Sequence, residues 1–359
     1  MFLYYYIYFL YNITGDIMKE LYTDLVNWYV INKRDFPWRK DHNPYHIWIS
    51  EIMLQQTTTS AVIPYFNQFI QRFPDIQTLA SASLDDVYKL WEGIGYYRRA
   101  KHIHETSIIL STQYNNNFPQ NYNDVLNLKG IGPYSAGAIC SIAFNQKVAA
   151  IDGNVLRIMS RVLNTNKNIA KTSTQKFFKQ YIEDNLLFEE PSKFNQALMD
   201  LGATICRVKK PKCDQCPIQS YCLAYKNNQQ DVLPINIKNI KHNEEFYTTG
   251  IITYKDKIML IKNKKGLLEN LYGLIQYHVE SPYTFIDLFK EDYNIDIEVV
   301  SYIDKIKHVF THKTWHLNIY EFKIDKPNQH LYTLDEIEKL AISNAHQKAI
   351  KAYLKSKEL

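Results

Sequence analysis

Cysteine is scarce in this 359-residue chain: there are five, and four of them crowd into Cys206-x6-Cys213-x2-Cys216-x5-Cys222. The fifth, Cys140, sits in the apolar run Ala138-Ile139-Cys140-Ser141-Ile142-Ala143, where it reads as core. No secretory context supports oxidation, so a disulfide framework is the weaker reading of the four. Long hydrophobic runs are missing too. Met1–Ile13 is nearly all apolar or tyrosine, but it is too short for a bilayer. It also lacks the basic start and small-residue cleavage site of a signal peptide. Residues 1–17 are set apart as an N-terminal extension, a start-site artefact or a frayed tail. Arginine is absent from the later part, all eight lying at or before Arg207. From Met18 to Lys226 there are 24 Lys+Arg against 18 Asp+Glu, whereas 227–359 carries 18 of each. The basic surplus belongs to the first part, which is where phosphate contacts are expected. There is no internal repeat, and no low-complexity tract beyond the Asn-rich loop Asn115–Asn117.

The content is globular: 46% of residues are hydrophobic and 14% aromatic, and the length suits two domains. Apolar positions recur at helical spacing in Leu21–Val30, Ile47–Leu54, Val62–Phe69, Leu84–Trp91, Ile103–Leu110, Ser135–Ala143 and Phe194–Ile205. Pro37, Pro44, Pro74, Gly93, Gly95, Pro119, Gly130, Gly132 and Pro191 fall between them as breakers. Residues 227–243 are polar and aperiodic, as a linker is. Beyond them the pattern alternates with β-branched residues in Phe246–Tyr254, Lys257–Ile261, Ile297–Ile303, Lys307–Thr311 and His316–Phe322. Helical patterns at Phe285–Lys290, Leu334–Ala341 and Asn344–Lys355 complete a smaller α/β domain. The expected division is 18–226, linker 227–243, and 244–359.

Three places carry chemistry. Four thiolates joined by such short loops converge on a shared centre, and a tetrahedral sulfur set suits zinc or an iron–sulfur cluster. Zinc sites of this kind usually show two CxxC knuckles, whereas here there is one. Leu128-Lys129-Gly130-Ile131-Gly132-Pro133-Tyr134-Ser135-Ala136-Gly137 lies between two helical stretches. Its glycines permit a sharp turn, and the next helix opens with unpaired N–H groups that suit a phosphate. An ordinary helix–helix turn is the alternative. Finally, two carboxyl groups stand in apolar surroundings. Glu51 lies among Trp48, Ile49, Ile52, Met53 and Leu54, where burial raises a carboxyl above its usual ~4.3. Asp152 follows Val148-Ala149-Ala150-Ile151 and precedes Gly153-Asn154-Val155, a helix N-terminus whose amides favour the ionised form. An exposed helix charge and a plain cap are the blander readings.

Together these residues resemble the A/G-specific adenine glycosylase branch of the endonuclease III superfamily. The resemblance runs from Asp35-Phe36-Pro37-Trp38-Arg39 to the C-terminal domain. It is densest in Trp48–Thr57, the glycine hairpin, Asp152–Val155, Phe194-Asn195-Gln196-Ala197-Leu198-Met199-Asp200-Leu201-Gly202 and the cysteines. It implies a mostly α, helix-hairpin-helix glycosylase domain (hairpin at about 122–143), an iron–sulfur loop at 206–222, and a smaller α/β Nudix-like domain. The asymmetric cysteine spacing is the one that holds a [4Fe–4S] cluster in that superfamily, on Cys206, Cys213, Cys216 and Cys222.

The implied activity is excision of adenine mispaired with 8-oxoguanine or guanine in double-stranded DNA. Adenine is a poor leaving anion, so the site must protonate the base and stabilise an oxocarbenium-like sugar with two carboxyls in different protonation states. By resemblance Glu51 is the acid, and Asp152 stabilises or captures the cation. Strand-cleaving relatives carry a lysine where this chain has Tyr134; a tyrosine forms no Schiff base, so a monofunctional enzyme is implied. In relatives sharing the tyrosine it is placed near the catalytic aspartate. Gln56 and Tyr96 match residues inserted near the lesion, and Arg98, Arg99 and Lys101 make the Tyr96 segment a DNA-facing loop. Arg34, Arg39 and Asn154 match pocket residues, Gly130 and Gly132 grip DNA, and Lys209, Lys210 and Lys212 meet phosphates. Phe310-Thr311-His312 resembles the Phe-Ser-His element that reads 8-oxoguanine, with Thr311 for serine; a plain turn is the alternative. Residues 255–300 lack the clustered glutamates of a pyrophosphohydrolase, so that domain is expected to bind rather than to catalyse. A monomer in the cytoplasm, nucleoid-associated if bacterial, completes the expectation.

Overall fold

The computed structural model describes residues 2–186, 189–237 and 242–358, with side chains from Asp16 onward. The chain divides into two compact units, Met1–Ser81 with His102–Lys238, and Ala82–Lys101 with Asn239–Leu359. Among the described residues no helix is long and apolar enough to cross a membrane.

The first unit is built of helices: α1 (Phe2–Asn32), α2 (Pro44–Met53), α3 (Thr59–Arg72) and α4 (Ile76–Ala80) come before the break in the unit. After α5 (Leu84–Leu90) and α6 (Arg98–Gln113) come α7 (Tyr122–Asn127), α8 (Pro133–Phe144), α9 (Gly153–Val162), α10 (Thr172–Asn185), α11 (Pro191–Thr204) and α12 (Leu223–Lys226). Every helical segment expected before residue 206 falls on a helix, within a residue or two at the ends. The short α4, α7 and α12 and the longer α9 and α10 are additional. Two buried arginines, Arg157 and Arg161, interrupt the apolar stripe of α9 and hide it from a pattern of hydrophobic residues. Leu21, Leu25, Val155, Met159, Phe178, Phe194, Leu198 and Leu201 join α1, α9, α10 and α11 into one core. Each such side chain contributes about 1.5–3 kcal/mol by leaving water.

The second unit is a mixed sheet with helices. Its strands are β1 (Asn243–Tyr254), β2 (Lys257–Met259), β3 (Ile261–Lys262), β4 (Tyr272–Gly273), β5 (Ile275–Tyr277), β6 (Ile297–Val309), β7 (Lys313–Ile324) and β8 (Leu331–Tyr332). The main sheet has the order β6-β7-β1-β2-β8, with β5 also on β1 and a separate β3-β4 pair. β1 and β7 run parallel; β6 and β7 form an antiparallel hairpin with two register shifts. The two strand patterns expected at 297–303 and 307–311 are thus one strand, continuous through Asp304. Helices α13 (Pro282–Tyr293), α14 (Leu334–Ile337) and α15 (Asn344–Lys357) complete the unit. Ile252, Phe285, Phe289 and Phe322 fill its core.

Ala82–Lys101, which the sequence pattern assigns to the helical domain, is compact with this second unit. The reason is a set of specific bonds. Lys262 pairs with Asp85 at 2.7 Å, Lys101 with Glu269 at 2.8 Å, Lys89 donates to the Leu340 carbonyl at 3.1 Å, and Glu92 accepts the Ile342 N–H at 3.0 Å.

Candidate active site

A cavity of ≈ 400 Å³ in the first unit is lined by both carboxylates, Glu51 and Asp152, and by Arg34, Arg39, Tyr134 and Asn154. Helix α2 delivers Glu51. Pro44 opens it and Asn43 caps it by accepting the Tyr45 N–H at 2.9 Å; every residue from Ile47 to Met53 is then buried. Glu51 is 5% exposed, and burial pushes its carboxyl up to about 7. A hydrogen bond from Tyr134 at 2.6 Å and the Arg39 charge oppose that rise, while the Asp152 charge adds to it.

Asp152 caps α9. Its Oδ1 accepts the Val155 N–H at 2.8 Å and its Oδ2 accepts from Asn154 Nδ2 at 2.7 Å. These donors favour the ionised form, as a helix N-terminus leads one to expect, but removal from water outweighs them and the Asp152 carboxyl is raised. The two groups differ in their donors: Asp152 keeps backbone and side-chain donors and the Arg157 charge, all favouring its ionised form, whereas Glu51 has chiefly the Tyr134 hydroxyl. Tyr134 lines the same cavity as Asp152, but its hydroxyl donates to Glu51, and burial beside both acids lifts its own ionisation well above the usual value.

Arg34 and Arg39 converge on Asp200, a fully buried acid of α11 that the sequence reading quoted but did not assign to the site. Arg34 reaches Asp200 Oδ1 at 2.6 Å and Arg39 reaches Oδ2 at 2.8 Å. Burial alone would raise the Asp200 carboxyl, but the two guanidiniums, Arg39 first, hold it below its ordinary range. The signal was a lone acid in the apolar run Phe194–Gly202.

Behind Asp152, Arg157 bonds the Asn154 Oδ1 and the Gly202 and Cys206 carbonyls, each at 2.8 Å. Gly202 permits this approach: a Cβ there would overlap Asn154 Cβ and lie 2.9 Å from its Cγ. Arg161 donates to the Cys206 sulfur at 3.2 Å. All four loop cysteines are free, and the Cys216 thiol, raised mainly by burial, is raised further by the other three. Among the described residues no group of three His, Cys, Asp or Glu could hold a single metal ion. Four thiols near enough to perturb one another, with an arginine donor on Cys206, fit an iron–sulfur cluster, which takes four thiolate ligands. Lys209, Lys210 and Lys212 are exposed in this loop.

Leu128–Gly132 joins α7 to α8, with Gly130 at φ +77° against His102 and Gly132 as the N-cap of α8. Gln56 stands exposed just after α2 at φ +58°, a backbone region uncommon for a residue with a Cβ. In the second unit, Phe310-Thr311-His312 forms the turn between β6 and β7, closed by Phe310 N–H to Lys313 O at 2.7 Å. Thr311 and His312 are exposed, and Phe310 packs edge-on against Trp315. The Tyr96 hydroxyl meets that of Thr311. Arg99, expected to face DNA, turns inward over Trp91 and Tyr96, and Lys101 is paired with Glu269. Arg98 remains exposed.

Comparison with known proteins gives three family matches: "HhH-GPD superfamily base excision DNA repair protein" over 49–184, "Iron-sulfur binding domain of endonuclease III" over 206–222, and "NUDIX domain" over 248–352. The adenine DNA glycosylase of Buchnera aphidicola subsp. Baizongia pistaciae is 38% identical over 302 residues, 83% of this chain and 84% of that one. That of Buchnera aphidicola subsp. Schizaphis graminum is 37% identical over 295 residues, 82% and 84%. Among solved structures, a thermostable thymine-DNA glycosylase is similar at 27% identity and TM-score 0.54, covering 60% of this chain and 99% of its own.

Proposed function

This chain belongs to the adenine DNA glycosylases of base excision repair, with a [4Fe–4S] loop and a C-terminal Nudix domain, and from that premise we propose that it is a monofunctional enzyme removing adenine opposite 8-oxoguanine or guanine. The observation that carries the mechanism is Glu51, buried and pushed up to about 7, sharing one cavity with Asp152. A carboxyl of that acidity holds a proton near neutrality and gives it to the departing base, where it is worth on the order of 10²–10⁴ in rate. Asp152, better supplied with donors, carries the negative charge that stabilises the oxocarbenium-like sugar or captures it covalently. Tyr134 orients Glu51 and cannot cleave the strand as an amine does.

Reaching a base in a duplex requires flipping it out. The exposed, left-handed Gln56 is suited to brace the gap, and the α7–α8 turn with Gly130 and Gly132 to hold the backbone. Asp200 positions Arg34 and Arg39 at the pocket wall. Cys206, Cys213, Cys216 and Cys222 would hold the cluster, whose binding would tie them into one loop presenting Lys209, Lys210 and Lys212 to phosphate. Phe310, Thr311 and His312 read the base opposite adenine, because adenine itself is the same in an A·T pair. In a bacterium the enzyme works in the cytoplasm, at the nucleoid.

The test is product analysis. Purified protein with an A·8-oxoguanine duplex should release free adenine and leave sites that break only in alkali. A borohydride-trapped adduct formed alongside efficient strand cleavage would contradict the monofunctional reading, and intact adenine would remove the activity.

A further inference from the structure

Tyr96 and Thr311 are 215 residues apart in sequence, yet their hydroxyls meet within one compact unit. The Tyr96 side of this contact is braced. Tyr96 sits at φ +51°, a conformation a tyrosine keeps only when its surroundings over-determine it. Arg99 lies over its ring at 5.2 Å and over Trp91 at 5.6 Å. The Arg99 Nη2 and the Trp91 indole N–H both donate to the Gly95 carbonyl, at 3.1 and 3.0 Å. Glu92 and Lys101 tie the same segment to Ile342 and Glu269. On the other side, the turn carrying Thr311 is closed by the Phe310–Lys313 bond and packed on Trp315.

We propose that Tyr96 is a positioning residue for Thr311: its phenol oxygen takes the threonine proton and so fixes the Thr311 hydroxyl as an acceptor. The inference rests on the reading of Thr311 as the contact to the base opposite adenine. A free hydroxyl rotates to suit a donor or an acceptor. Guanine N7 is an acceptor, whereas 8-oxoguanine carries a proton there and donates. A rotating hydroxyl therefore satisfies both bases and separates them poorly. One whose proton is already committed accepts the N7–H of 8-oxoguanine and sets lone pair against lone pair at guanine. On this account preference comes from where the proton is held, and the hydroxyl alone is insufficient.

The experiment measures single-turnover adenine release from A·8-oxoguanine and A·G duplexes by full-length wild type, Tyr96→Phe, Thr311→Ala and the double variant. Phenylalanine keeps the ring and removes the oxygen. The ratio of the two rates should fall about fivefold, a single hydrogen bond's worth, mainly through faster A·G processing. The double variant should lose no more than Thr311→Ala alone, because Tyr96 acts through Thr311. An unchanged ratio in Tyr96→Phe, with Thr311→Ala altered, overturns the positioning role and leaves Thr311 as reader. Additive losses overturn it as well. If neither variant moves the ratio, both the reader and its positioning fall.

Discussion

The cavity of the helical unit and the turn of the sheet unit treat polar groups in opposite ways. Glu51 in the cavity wall and Asp200, bonded to the wall residues Arg34 and Arg39, are almost wholly withdrawn from water, and their acidities are driven in opposite directions. Asp200 faces two guanidiniums and is held ionised; Glu51 faces a phenol and keeps its proton. At the turn, Thr311 and His312 are exposed, and Thr311 offers an uncharged hydroxyl. The difference follows from the tasks. Moving a proton to a poor leaving group needs an acid whose strength burial has altered. Sensing one proton and one oxygen on a base edge needs only a directed hydrogen bond, which is worth about 1 kcal/mol.

The largest expected break in this contrast is Glu51→Gln. The amide keeps the shape and the bond from Tyr134, so duplex binding should stay near wild type while excision falls by about 10²–10⁴. The same substitution should stabilise the fold at high pH. The folded carboxyl, at about 7, lies above its ordinary 4.5, so the folded state binds more protons between those values. Wild-type stability therefore declines as pH rises through that window, by about 3 kcal/mol in all. Glutamine does not ionise, and thermal melts at pH 8 should show the variant gaining over wild type, with the gain absent at pH 4. Equal melting differences at the two pH values would mean that Glu51 is not buried as an acid.

Next in size is Gly202→Ala. The added methyl would push Asn154 off Asp152 and Arg157. The expected cost is about 1–3 kcal/mol of stability with a slower chemical step, read by melts and single-turnover rates. An unaffected rate would show that Asn154 does not matter to Asp152. The smallest effect belongs to the turn: Thr311→Ala should lose about 1 kcal/mol of the preference for 8-oxoguanine over guanine, with excision from A·G retained or faster. A general loss of activity on both duplexes would make Thr311 a part of the fold rather than a reader.

Much of the cavity was legible because its residues carry local signatures. Glu51 is the lone acid of an apolar helix, Asp152 an acid before Gly-Asn-Val, and the cysteines announce their loop by spacing. Partnerships across the chain were not legible. That Tyr134 would choose Glu51, that Arg34 and Arg39 would share Asp200, and that Arg157 would span Asn154 and Cys206 depends on how α2, α8, α9 and α11 pack. Buried arginines mislead a reading based on hydrophobic periods, since they occupy inward positions while counting as surface. The grouping of Ala82–Lys101 with the sheet unit rests on ion pairs and backbone bonds to residues more than a hundred positions away, which no local pattern encodes.

The most direct test of Glu51 as the proton source is the pH dependence of single-turnover adenine release from an A·8-oxoguanine duplex. Below about 7 Glu51 holds its proton and the rate should be level or limited by other groups. Above that value the rate should fall about tenfold per pH unit as the acid is lost. A rate that stays flat through pH 9 would contradict the account, because the adenine would then be leaving without the proton this buried carboxyl holds.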